Sequence, residues 1–396
     1  MKYFVSDFSR LCYRLFRKTF QNIKYVIAYL FQSYDSLNNN NDYNLIYITN
    51  DAGGGTELYD RNYINDKENV LLIRHIGNSK FFWGECISNG KKRLLSTTDL
   101  IQLLQQENID ITISTFIQYS LSQINKIANA LKRLKKQSGE IQITYLVHDY
   151  QCICPNNSMF FNGEYCSPCR LESTKKYLYG TSVISLKRWQ EMWFMILCSC
   201  SEVRCFSNSS KEILNEAYPM LNEKLVTIVP HDMSYCHNTR IKDIDKRPFH
   251  IGIVGACHYE IKGREVVIDV LEEFGDSVPI SIIGSSYRDY HIDKKMVSYF
   301  GEYKCENLQE IIEDNEVSIV VFPSLVPETF SYVISELMLM DIPIICFNLG
   351  AQAEKLSNYS KGIIAKDRIN LIDILRNIKE NNSFNKWRTF KLVDTI

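Results

Sequence analysis

Two glutamates eight residues apart, Glu328 and Glu336, carry the most informative spacing in this sequence. They close the run FPSLVPETFSYVISE at positions 322–336. An apolar segment stops at Phe322, a short loop follows, and a helical pattern opens near Thr329. The amino end of a helix leaves backbone N–H groups without intrahelical partners and favours anions. The amides of Thr329, Phe330 and Ser331 are therefore expected to face a phosphate or sugar hydroxyls. Glu328 at the loop exit and Glu336, just over two helical turns later and near the same face, would each grip hydroxyls, one set on a sugar and one on a ribose. The contrary reading is two solvated helix carboxylates.

A second run, IGIVGACHYEIKG at 251–263, passes from a strand through a loop to a helix. Gly255 ends the strand, and Lys262 offers a cation that would neutralise a departing pyrophosphate as its charge develops. A third, NDAGGGTEL at 50–58, follows an apolar run, and its glycines allow close backbone approach to a ligand. A fourth, LVHD at 146–149, leaves His148 and Asp149 at the end of a strand, where functional side chains concentrate. Cys152, Cys154, Cys166 and Cys169 would suit either a structural zinc or four free thiols, C-x-C being an uncommon ligand spacing.

The Glu328-x7-Glu336 spacing, with Pro323 and Ser324 before it and Pro343, Ile344 and Ile345 after it, resembles the EX7E segment of retaining GT-B glycosyltransferases, the glycogen-synthase-like enzymes of family 4. The resemblance implies two Rossmann-like domains facing a cleft, with donor-sugar contact at Glu328 and ribose contact at Glu336. It makes Gly255, Lys262, Thr329, Phe330, Ser331 and Glu336 the donor-binding set, and Glu328, His148 and Lys262 the catalytic set. Gly54, Gly55, Thr56 and Asp149 would line the acceptor side. Lys262 and Gly263 match a Lys-Gly pair of the family, whereas Ala256 stands where an arginine is usual, with His258 as a substitute. The implied chemistry transfers a sugar from a nucleoside diphosphate to a hydroxyl of a saccharide or lipid-linked saccharide. It needs neither cofactor nor catalytic metal, and the setting expected is synthesis of bacterial cell-surface polysaccharide. A sugar-nucleotide epimerase or hydrolase of the same fold stays open, as does a binding subunit without turnover.

Elements able to position these residues are legible in the rest of the chain. Of its 396 residues 45% are hydrophobic, ample for a large core, and the net charge of -1 excludes a general nucleic-acid binder. Apolar runs at 44–49, 70–75, 111–115, 141–147, 203–206 and 225–229 predict strands, with a basic-faced helix at 124–136. Strands at 249–254, 279–283, 297–300, 317–322 and 343–347 alternate with helices at 264–274, 308–314 and 330–340. Such alternation predicts parallel sheets covered on both faces. The domains expected are 43–230 for the acceptor and 248–380 for the donor. A final helix, 381–396, would cross back through Trp387, Phe390 and Leu392, as the resemblance implies.

Residues 1–36 read as a basic amphipathic helix. Arg10, Arg14, Arg17, Lys18 and Lys24 share one face, and Phe8, Leu15, Ile23, Val26 and Leu30 the other. Residues 3–32 would lie on a membrane surface or pack on the first domain. No apolar run approaches the ~18 residues of a transmembrane helix. The start of the chain lacks the pattern of a secretion signal, and its 13 cysteines suit a reducing compartment. Together these predict a cytoplasmic protein, either free of the membrane or, in the first of the two helix readings, peripheral on the inner face of the cytoplasmic membrane. Trp189, Met192, Trp193, Phe194, Met195 and Ile196 form an apolar stretch that is either a core helix or a surface for a lipid-linked acceptor.

Overall fold

A computed structural model describes residues 25, 43–50, 54–76, 80–88, 90–106, 108–137, 140–166, 175–180 and 182–381. The amphipathic segment, Gly53, Cys169 and the terminal segment with Trp387, Phe390 and Leu392 lie outside these residues. The chain forms two compact units. One comprises the described residues within 1–157, 168–205 and 214–228, the other those within 158–167, 206–213 and 229–396.

In chain order the strands are β1 (Leu45–Thr49), β2 (Val70–His75), β3 (Phe81–Cys86), β4 (Lys92–Ser96), β5 (Asp110–Ile113), β6 (Ile143–Leu146), β7 (Phe160–Phe161), β8 (Glu164–Tyr165), β9 (Lys176–Tyr179), β10 (Ser182–Ser185), β11 (Glu202–Cys205), β12 (Val226–Ile228), β13 (Ile251–Val254), β14 (Ile280–Ile283), β15 (Val297–Gly301), β16 (Ile319–Phe322), β17 (Ile344–Phe347) and β18 (Gly362–Ala365).

The first unit is built on a sheet ordered β12-β11-β6-β5-β1-β2-β3-β4, parallel from β12 to β2. β3 and β4 add antiparallel strands at one edge. No continuous apolar run predicts them, because burial along β3 is interrupted at Trp83 and Glu85. Central strands such as β1 (LIYIT) are buried along their whole length, as expected where helices cover both faces of a parallel sheet. The helix Leu121–Gln137 covers the sheet with Ile124, Ile127, Leu131 and Leu134 and keeps Lys126, Lys132, Arg133 and Lys136 in water. Trp189, Met192, Trp193 and Ile196 are buried in the helix Leu186–Ser199, and the Trp189 indole donates to Gln151 O at 2.7 Å. This stretch is core, which rules out its reading as a lipid-facing surface. Among the described residues no helix is long and apolar enough to cross a membrane.

The second unit carries an all-parallel sheet ordered β15-β14-β13-β16-β17-β18. Its core joins β13, β14, β16 and β17 to the helix Arg264–Phe274 on one face and Tyr332–Leu339 on the other. Strand order reverses between β13 and β16, so the chain leaves these two neighbours in opposite lateral directions. The loops at their carboxyl ends therefore border one crevice, the usual ligand position in such sheets.

The two loops approach so closely that a side chain is excluded between them. Gly263 has φ 89°, and a Cβ there would stand 2.0 Å from Pro323 O. Replacing Gly263 with alanine combines a left-handed strain with a backbone collision. We expect Gly263→Ala to lose upwards of about 2 kcal/mol, read from the midpoint of chemical unfolding. A change within about 0.5 kcal/mol would refute this close approach.

Candidate functional site

The loop after β13 runs from Gly255 to a single tight turn, Glu260–Lys262, that brings Lys262 over the loop after β16. Lys262 Nζ lies 2.5 Å from Glu328 Oε1, and the Ser324 hydroxyl donates to the same oxygen at 3.1 Å. Burial disfavours the Lys262 ammonium, but the Glu328 carboxylate outweighs it and raises the pKa, so Lys262 stays charged at neutral pH. His258 is turned to Ser285, with Nδ1 3.1 Å from its hydroxyl. Leu325 N–H donates to Ile261 O at 3.0 Å, tying the two loops together.

From its other side the second loop is held by the helix Gly350–Ser357. The buried Gln352 accepts from Glu328 N–H at 2.9 Å and donates to Val326 O at 2.8 Å. Ala351 N–H donates to Glu328 O at 2.9 Å. Glu328 is thus fixed at its amide, its carbonyl and its carboxylate.

The helix that follows opens at Tyr332, three residues later than its sequence pattern predicts. Its N-cap is Ser331, with φ 62° and ψ 88°, a left-handed conformation that cannot continue a helix backwards. Thr329 and Phe330 therefore belong to the preceding turn, and the helical amino end begins at Ser331. Glu328 lies outside the helix, so it and Glu336 do not share a helical face. Glu336 is within the helix and only 5% exposed. The Tyr235 hydroxyl donates to its Oε1 at 3.1 Å, and the Cys305 thiol is a second hydrogen-bond partner. Burial raises the Glu336 pKa, and these two donors oppose the rise. Cys305 Sγ lies 3.1 Å from Cys236 Sγ, both thiols being free.

In the first unit Gly54, Gly55 and Thr56 form the first turn of the helix Gly54–Asn65 rather than a loop. The helix starts early because Gly54, at φ 74°, makes the reversal that a loop was expected to need. The same helix carries the buried Asp60, which accepts from Tyr47 (2.5 Å), Ser114 (2.7 Å) and Thr49. His148 Nε2 lies 3.9 Å from Asp60 Oδ1, and Tyr59 meets the His148 ring edge-on. Burial drives His148 down to about 3, so the ring is neutral. Asp149 accepts from Gln151 N–H at 2.7 Å and Thr115 Oγ1 at 3.3 Å, and burial raises it to about 6. Cys152 and Cys154 are buried and Cys166 is half-buried. Among the described residues no three His, Cys, Asp or Glu side chains converge as metal ligands would.

Sequence reasoning missed Gln352, Tyr235, Asp60 and Lys355. A signal existed for Asp60, a carboxylate on the inner side of a helix facing hydroxyl-bearing strands; the others are joined to the site only by tertiary packing.

Residues 248–381 match the family Glycosyl transferases group 1. That segment of the chain carries a group 1 glycosyltransferase domain. The matched segment contains Gly255, Lys262, Glu328 and Glu336. No curated protein sequence matches this chain. Among solved structures it is similar to Anabaena HepE in complex with UDP, at 15% identity and TM-score 0.56, over 86% of this chain and 91% of that one. Sucrose-phosphate synthase from Thermosynechococcus elongatus gives 11%, 0.56, 84% and 89%. The lipopolysaccharide outer core galactosyltransferase WaaB in its apo form gives 12%, 0.52, 86% and 91%. At such identities the likeness is one of fold.

Asp149 offers a test of the first unit. Its folded pKa, about 6, lies above the ordinary 3.8, so its stabilising contribution is complete below about pH 3.8 and is lost as pH rises through about 6. Asp149→Asn should raise the melting temperature at pH 7.5 by a few degrees more than at pH 4.5. An equal effect at both pH values would contradict the burial of this carboxyl.

Proposed function

We propose that this family 4 glycosyltransferase takes a nucleoside diphosphate sugar, holding it at the carboxyl ends of β13 and β16, and passes the sugar with retention to a hydroxyl of a saccharide or lipid-linked saccharide. The observation that carries the reading is the Lys262–Glu328 pair, fixed beside the turn that opens the helix Tyr332–Leu339. A cation and a helical amino end together suit a diphosphate. A carboxylate next to them suits sugar hydroxyls.

In this reading Gly255, Thr329, Phe330 and Ser331 shape the donor pocket. Ser331 adds a hydroxyl that is buried and has no hydrogen-bond partner among the described residues. Glu336, once Tyr235 is displaced or shared, accepts from ribose hydroxyls. Gly54, Gly55 and Thr56 present a helical amino end suited to an acceptor, and His148 and Asp149 shape that unit's strand ends.

Chemistry follows from the charges. As the bond from the anomeric carbon to the leaving phosphate breaks, negative charge grows on the phosphate oxygen. Lys262 shifts from Glu328 toward that oxygen, and the amides beyond Ser331 meet the rest of the charge. The leaving phosphate takes the proton of the attacking hydroxyl on the same face, so the anomeric configuration is kept. Glu328, released from its lysine, holds the sugar rather than bonding to it.

HepE, with UDP and UDP-glucose bound in solved structures, makes uridine the first base to try. UDP-, GDP- and dTDP-sugars are compared by thermal unfolding, and one series should raise the melting temperature with concentration. No shift with any of them would sink the donor reading. Lys262→Ala should then lower kcat with the matching donor by about 10²–10³-fold. Turnover of donor without any acceptor would instead favour a hydrolase or epimerase, and tight binding without turnover a binding subunit.

A further inference from the structure

The geometry points to Lys355 as a positioning residue of the donor site, one that holds Ser331 in the left-handed conformation from which the helix Tyr332–Leu339 presents its amino end. The inference rests on the donor reading above. Ser331 is a non-glycine residue at φ 62°, a region that Cβ makes unfavourable and that persists only where the surroundings enforce it. Three donors converge on its carbonyl, the Ser335 N–H at 3.4 Å, the Ser335 hydroxyl at 3.2 Å and one ammonium, and the ammonium alone comes from outside the segment. Lys355 Nζ donates to Ser331 O at 3.2 Å and to Ser335 Oγ at 2.5 Å, and it lies 3.4 Å from the centre of the Phe330 ring. All three contacts fall within one turn of chain. The Phe330 ring is in turn stacked on His231, with centroids 4.4 Å apart. Lys355 is itself anchored, because its helix is the one that fixes Glu328 through Ala351 and Gln352.

A cation in this position is costly. Among the described residues no carboxylate reaches ion-pair distance of Lys355, and burial lowers its pKa to about 7. Glu354 on its own helix and Glu328 on the neighbouring loop oppose that shift from farther away. Across the Phe330 ring lie the titratable groups His231 and Tyr332, and Glu328 is itself paired to Lys262. A phosphate at the amino end of the helix would favour the protonated form, so donor binding and protonation of Lys355 should assist one another. The hold on Ser331 O weakens once the proton leaves, since a neutral amine is a weaker donor than an ammonium.

A double-mutant cycle tests the assignment. The nucleotide diphosphate that the wild type binds best, UDP being tried first, is titrated calorimetrically into wild type, Lys355→Met, Ser331→Gly and the double variant. Glycine adopts the left-handed conformation without help. Lys355→Met should therefore weaken binding about tenfold in the wild-type background but less than about threefold in the Ser331→Gly background. Equal losses in the two backgrounds would mean that Lys355 acts directly on the ligand and would overturn the positioning role, as would no loss at all. A folded wild type that binds none of the nucleotides defeats the donor reading itself, and this is seen before any substitution is made. If Lys355→Met does not fold, Lys355→Arg replaces it and the corresponding nucleotide sugar, whose phosphates do not titrate, is used between pH 6.5 and 8.5. The wild type should lose about fivefold in affinity over that range while the arginine variant stays level; a level wild type refutes the proposal.

Discussion

Everything at the candidate site depends on how the loop at 323–331 is confined. It runs between two backbones that approach it from opposite sides, and each approach is made by a glycine. Gly263 comes against Pro323 from the β13 side, and Gly350, at φ 54°, would place a Cβ 2.5 Å from Glu328 N from the β17 side. Between these walls hydrogen bonds to Gln352, Ala351 and Ile261 fix the loop's main chain. The carboxylate of Glu328 then has little freedom and meets Lys262 without a further entropic cost. Charged pairs on a surface are usually worth little, since long side chains must be ordered to make them. Here the ordering is done by the backbone.

The same sites show how burial divides labour among similar groups. Glu328 and Glu336 are both carboxylates of one segment, yet one faces a lysine and the other a tyrosine and a thiol. The first is paired with a charge, while the second is satisfied by neutral donors in a site whose burial raises its pKa. In the first unit His148 and Asp149 are adjacent in the chain and are displaced from their ordinary pKa values in opposite directions by one cause, the loss of water. Both are thereby biased toward the neutral state.

Much of this architecture was legible in the sequence because parallel strands buried on both faces read as continuous apolar runs. The strands beginning near Leu45, Val70, Ile251, Ile319 and Ile344 lie where such runs predict them. The Lys262 and Glu328 segments were legible because each couples a strand end to a charged residue at a family-like spacing. Failures came where local pattern and tertiary context part. The helical pattern at 330–340 carries no mark of Ser331 as left-handed; besides the local Ser335 contacts, that conformation is held by Lys355, 24 residues away. The glycines at 53–55 suggest a loop, but a glycine can also start a helix abruptly, and Gly54 does so. Helix Cys305–Asp314 begins three residues ahead of its apolar pattern because its first turn is polar and lies over Cys236 and Asn238 rather than in the core.

The order of the second sheet has a consequence for biosynthesis. β13 is central, and its partner β16 arrives only after β14 and β15 have been laid down on the other side. Glu328 receives its last restraints from residues past position 350. A nascent chain emerging from the ribosome can form the lysine-bearing turn early, but the clasp around it must await nearly the whole domain. Competence to grip a ligand is therefore among the final events of this domain's maturation, and a stalled or shortened product would lack it however well its first strands had paired.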